Sequence, residues 1–116
     1  MKSPSDIKIW GHSYSIRYED DPRLGEKPSS VWGYCDTDKH EIALRNSLKN
    51  RPSFEIEVLI HELLHAVARN SNTFGMMDDA HKVEEHVVDT LSNGFTLILK
   101  DNPTLIDYIK ERLHGK

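Results

Sequence analysis

One stretch constrains this chain more than any other. Residues 58–67 read Val-Leu-Ile-His-Glu-Leu-Leu-His-Ala-Val, three ionisable side chains set in an apolar run. At about 100° per residue, His61 and His65 fall about 40° apart on a helix, with Glu62 about 60° beyond His65. Ile56, Leu59, Ile60, Leu63, Leu64, Ala66 and Val67 collect on the opposite arc. The segment is therefore expected to form a helix with one face buried and a narrow face carrying two imidazoles and a carboxylate. A His-Glu-x-x-His helix puts two imidazoles one turn apart, close enough to share a tetrahedral Zn²⁺ with bonds of roughly 2.0–2.1 Å. The glutamate stands beside such an ion, where it can take a proton from water. Chance alone produces the pattern in some histidine-rich chains. Its position on a strongly amphipathic helix argues for a metal site instead.

The rest of the composition narrows the setting. At 116 residues the chain is long enough for one core and too short for two. A net charge of −4 leaves no electrostatic footprint for nucleic acid, and no Lys/Arg run suggests a membrane surface. Cys35 is the only cysteine, which excludes an internal disulfide and a cysteine-built zinc site. The first residues lack the apolar core of a signal peptide, and no apolar run approaches a membrane span. A cytoplasmic compartment is the expectation.

Residues 1–6 read as a polar tail and 7–116 as a single domain. Alternating apolar residues predict a hairpin with strands at about 7–10 and 14–19, turning at Gly11-His12-Ser13. The polar stretch 20–30 reads as a loop. A third strand is expected at about 31–35 and a fourth at about 40–45, joined by the turn Asp36-Thr37-Asp38-Lys39. Asp36 and Asp38 have the spacing that opens an EF-hand loop, but its glycine and distal glutamate are missing, which rules out calcium of that kind. The fourth strand, leading straight into the motif helix, is expected at an open sheet edge. Ser53 is a fitting N-cap for a helix over about 54–69. A second helix is expected over about 78–99, with Val83, Val87, Leu91 and Ile98 on one apolar face and Val88 and Phe95 beside it. Pro103 suits the first turn of a last helix, striped with Ile106, Ile109 and Leu113, which either completes the core or lies near the cleft. The fold class is thus α+β: a small, mostly antiparallel sheet of three or four strands on the motif helix, followed by two further helices.

Catalytic zinc takes three protein ligands and keeps a fourth position for water. The third must come from outside the motif, and the second helix offers His81, Glu84, Glu85 and His86. Periodicity does not choose among them: Glu84 projects into the centre of the apolar face, while Glu85 lies at its margin with His81, Asp89 and Ser92. Here a family resemblance enters. His61-Glu62-Leu63-Leu64-His65-Ala66-Val67 followed by Glu85-His86-Val87-Val88-Asp89 resembles the gluzincin metallopeptidases, whose third ligand is a glutamate on a downstream helix. The resemblance implies Glu85 as third ligand and Asp89 as the group that orients a ligating imidazole. The small size is similar to minimal zincin domains, including the ImmA/IrrE type and peptidases of bacteriophages. Val88-Asp89 departs from the Ala-Asn that the ImmA/IrrE pattern prefers.

Such domains lay an edge strand along the cleft, where it pairs with an extended substrate. By position that strand would be 40–45 here. The implied reaction is hydrolysis of a peptide or protein substrate, with zinc polarising the scissile carbonyl and Glu62 as general base. His81, Tyr34, His40 and Arg69 are candidates to stabilise the oxyanion. Two other readings fit the residues. One is an SprT-like peptidase using His81 as third ligand, against whose DNA-associated role the acidic charge argues. The other is a zinc-stabilised interaction module, in which a carboxylate beside an open position would have no use.

Overall fold

The computed structural model describes residues 3–23 and 31–115. The expected loop between the two hairpins lies largely outside the described residues. Strands β1 (Asp6–Ile9) and β2 (His12–Glu19) are antiparallel. Their turn is Trp10-Gly11, with φ of 51° and 80°. Positive φ at both central residues matches the right-handed twist of a two-residue hairpin, so the turn is one residue earlier and tighter than expected. His12 consequently opens β2 instead of sitting in the turn. The second hairpin pairs β3 (Gly33–Asp36) with β4 (Glu41–Arg45). Asp36 Oδ1 accepts from the Asp38 and Lys39 amides, both at 3.1 Å, which commits that side chain to the turn.

The four strands run in the order β1-β2-β4-β3, with β2 and β4 parallel and the outer pairs antiparallel. This corrects the expectation that the fourth strand is an edge. Ile42, Ala43 and Leu44 are all fully buried, and three consecutive buried residues belong to a strand flanked on both sides. The edge that lies against the helices is β3. A short 3-10 helix (Asn46–Asn50) follows β4 and leads into α1 (Pro52–Asn70). The cap is Arg51, not Ser53, because Pro52 occupies the first turn, where its fixed φ fits and its missing N–H is not needed. Helices α2 (Ala80–Asp101) and α3 (Pro103–His114) complete the chain.

Tyr14, Ile16, Ile42, Leu44 and Leu48 from the sheet side meet Val58 and Ala66 of α1 in one core. The helix faces differ from the expected ones. On α1 the buried residues are Val58, Glu62, His65, Ala66 and Ala68, whereas Ile56 and Val67 are each 41% exposed. The motif face is covered by β3 and α2, so its polar groups are interior. On α2 the buried line is Glu84, Val88, Ser92 and Thr96, one residue per turn, while Leu91, Phe95 and Ile98 stay exposed. Ser92 and Thr96 hydroxyls bond back to the Asp89 and Ser92 carbonyls at 3.2 and 2.7 Å, which satisfies them inside the packing.

Close packing of β3 depends on Gly33. A Cβ there would stand 2.9 Å from the Ala43 carbonyl oxygen, 3.0 Å from Val58 Cγ1 and 3.1 Å from Leu44 Cδ2. Gly33→Ala must therefore push β3 away from α1. Overpacking of this kind costs about 1–3 kcal/mol. Thermal unfolding should show a Tm lower by several degrees, and an unchanged Tm would mean that β3 is not held this tightly.

Candidate metal centre

The α1 register brings His61 and His65 one turn apart, with ring centroids at 4.8 Å. Each ring has a carboxylate on its Nδ1. His61 Nδ1 lies 3.2 Å from Asp89 Oδ1, and His65 Nδ1 lies 2.5 Å from Glu84 Oε2. A proton on Nδ1, shared with these carboxylates, is the tautomer that would leave Nε2 free to ligate an ion. The two Nε2 atoms converge at 3.2 Å. Glu85 joins them from α2, its Oε1 at 2.9 Å from His65 Nε2 and its Oε2 at 3.8 Å from His61 Nε2.

These spacings can be tested against the ion. Two ligands of a tetrahedral zinc with bonds of about 2.0–2.1 Å stand about 3.3 Å apart. The Nε2 pair stands near that value and the Glu85 oxygens lie at 2.9 and 3.8 Å from its two members, so side-chain adjustment alone lets the residues fit the group. Among the described residues, His61, His65 and Glu85 are the one set of histidine and carboxylate donors that converges in this way. His81 lines the same cleft but is exposed and stays outside the converging set. His86 is exposed on α2 and does not line the cleft.

Glu62 lies next to these donors, 6% exposed, and accepts no hydrogen bond from the described residues. Burial, and then the charge of Glu85, push its carboxyl up to about 8, with Arg69 pulling the other way. A dication on the neighbouring donors would favour the ionised form again. Burial and the adjacent His65 lower the pKa of His61, against the raising effects of Asp89 and Glu85. The Cys35 thiol, also in the cleft wall, is pushed up to about 12 mainly by burial, which leaves it protonated and unreactive at neutral pH.

The cleft has a volume of about 570 Å³, and its wall includes Trp32, Phe54, the three donors, Arg69 and His81. Trp32 and Phe54 meet edge to face at 5.2 Å and make one end apolar. Of the four oxyanion candidates, Tyr34, Arg69 and His81 line the cleft. His40 does not; its ring lies 4.6 and 4.9 Å from those of His12 and Tyr14. In the sequence Glu84 stands out only as a competing ligand. Its carboxylate instead holds His65 and receives Arg69 Nε at 2.9 Å. The signal for that role is its place at the centre of the second helix's buried line, since a carboxylate there needs partners.

No known protein family, curated protein or solved structure matches the chain.

Proposed function

We propose that this chain is a zinc-dependent peptidase of minimal gluzincin type, with His61, His65 and Glu85 as ligands and Glu62 as the catalytic base. One observation carries the reading. Two imidazoles with carboxylates beside their Nδ1 atoms turn their Nε2 atoms towards each other and towards Glu85, three donors close enough together to share one zinc ion. All three donors line the cleft, so an ion held by them would be open to water, which a catalytic centre needs and a closed structural site lacks.

Bound zinc supplies a Lewis acid that polarises a scissile carbonyl and eases deprotonation of water. Glu62 accepts that proton and returns it to the leaving amine, a role open to a cleft-side carboxylate that accepts no hydrogen bond from the described residues. Asp89 and Glu84 keep the imidazoles in the tautomer that binds metal. Among the described strands β3 is the edge along the cleft wall, and part of its outer side offers backbone groups to an extended polypeptide. The substrate class is therefore a peptide or an unfolded protein segment, gripped by its main chain. A cytoplasmic setting belongs to the same proposal; among the described residues no helix is long and apolar enough to cross a membrane.

Metal analysis and a hydrolysis assay test the reading together. The purified chain should hold about one zinc and cleave an unstructured polypeptide. A chelator should abolish cleavage, and added zinc should restore it. Stoichiometric zinc without any hydrolysis would favour the zinc-stabilised module, and no zinc at all would end both readings.

A further inference from the structure

Arg69 lies one turn after His65 on α1, and its guanidinium serves two elements at once. Nε donates to Glu84 Oε2 at 2.9 Å, the same oxygen that receives His65 Nδ1 at 2.5 Å. Nη1 donates to the Cys35 carbonyl of β3 at 3.0 Å. Glu84 is buried, and a buried carboxylate keeps its charge and its aim only while it is paired.

The second contact falls on a particular side of β3. The Arg45 amide donates to the Trp32 carbonyl at 2.8 Å, and Tyr34 is opposite Ala43. Backbone groups alternate along an antiparallel strand, so Trp32, Tyr34 and Asp36 face β4 while Gly33 and Cys35 face the open edge. Upstream, the Val31 amide is used by the Pro22 carbonyl at 3.2 Å and the Val31 carbonyl by Arg45 Nη2 at 2.9 Å. Downstream, Arg69 takes the Cys35 carbonyl. Among the described residues, what remains open is short: the Gly33 amide and carbonyl and the Cys35 amide.

We propose that Arg69 is a positioning residue that fixes both the His65 ring, through Glu84, and the end of the β3 edge open to a substrate main chain. The proposal rests on the peptidase reading above. It makes the grip on substrate brief, one residue paired at Gly33 and one further bond at Cys35, and it ties that grip rigidly to a metal ligand. The planar fork is what allows this, because its nitrogens point in different fixed directions; a lysine ammonium can serve Glu84 or the Cys35 carbonyl but not both.

The test uses the full chain and two readouts: zinc affinity of the metal-free protein by competition with a chromophoric chelator, and the map of cleavage sites in an unstructured polypeptide by mass spectrometry. Arg69→Ala and Glu84→Ala should each weaken zinc binding by roughly 10–100-fold, the usual range for losing a partner of a ligating histidine. The double variant should be little worse than either single one, because both act through one chain of contacts. Arg69→Ala should also shift the cleavage map, and Glu84→Ala should not. Should Arg69→Ala fail to fold, Arg69→Lys carries the test: one contact is kept and the other lost, so either the zinc affinity falls or the cleavage map moves. Wild-type affinity in folded Arg69→Ala, a fully additive double variant, or wild-type affinity together with an unmoved map in Arg69→Lys each overturns the proposal while leaving the peptidase reading in place. A wild-type chain that binds no zinc overturns both.

Discussion

Replacing Glu85 with alanine is expected to empty the metal centre and leave the fold standing. Its carboxylate is more than a third exposed, and its ion-pair contacts are the two imidazoles, so no core packing depends on it. In the metal-free protein its loss also removes a negative charge that raises the Glu62 pKa. For the bound ion the change is severe, because two imidazoles alone replace a three-donor set. Zinc sites with four protein ligands bind with about 10–16 kcal/mol, or about 2.5–4 kcal/mol per ligand if shared evenly. Losing one donor should therefore weaken binding by roughly 10²–10³-fold, since every 1.4 kcal/mol is about tenfold. Glu84→Ala keeps all three donors and loses only the partner of His65, so it should bind one zinc more weakly and not lose it. Chelator competition with far-UV circular dichroism as a fold control decides. Should Glu84→Ala empty the site while Glu85→Ala keeps wild-type affinity, Glu85 is not the third ligand.

The parts of this arrangement that are legible in the sequence are those fixed by local spacing. The four-residue separation of His61 and His65 fixes their geometry on any helix, and a glutamate on the next helix is a near neighbour once the two helices pack. Strand existence follows from alternation, and the α+β class follows from the order of strands and helices. What spacing does not encode is which side of an element its neighbours occupy. The sheet order β1-β2-β4-β3 puts β4 inside and β3 at the edge because the chain crosses over between the hairpins, through residues with no periodic signal. Apolar arcs mislead for the same reason. Val58, Glu62 and His65 are interior because β3 and α2 close over the motif face, and Leu91, Phe95 and Ile98 are exposed because α2 presents Glu84, Val88, Ser92 and Thr96 inward. In α3 the stripe of Ile106, Ile109 and Leu113 suits either the core or the neighbourhood of the cleft. All three remain at least 42% exposed and no α3 residue lines the cleft, so neither role is built. Glu84 is the costliest omission. Its partner Arg69 is fifteen residues away in sequence and meets it only through the packing of α1 on α2.

The second large effect is expected at Glu62. Glu62→Gln changes one oxygen to an amide nitrogen and leaves the volume almost unchanged, so the helix and its packing against β3 should persist. The native carboxylate is nearly buried and lies beside the charge of Glu85, two unfavourable terms for an ionised group that the neutral amide avoids. The metal-free variant should therefore be at least as stable as wild type in thermal unfolding. Zinc should stay bound, because His61, His65 and Glu85 and the carboxylates behind the imidazoles are untouched. Hydrolysis should fall by roughly 10²-fold or more, the usual contribution of a positioned general base. The amide can still hydrogen-bond a water but has no basic site at neutral pH, so proton removal is lost while orientation is kept. This separation of binding from turnover is what distinguishes a base from a structural carboxylate. A structural role would show as lost stability or lost metal with activity falling in proportion. The measurement is kcat on an unstructured polypeptide with zinc content determined on the same sample. Equal kcat in the two proteins would remove Glu62 from the reaction and, with it, the general-base mechanism.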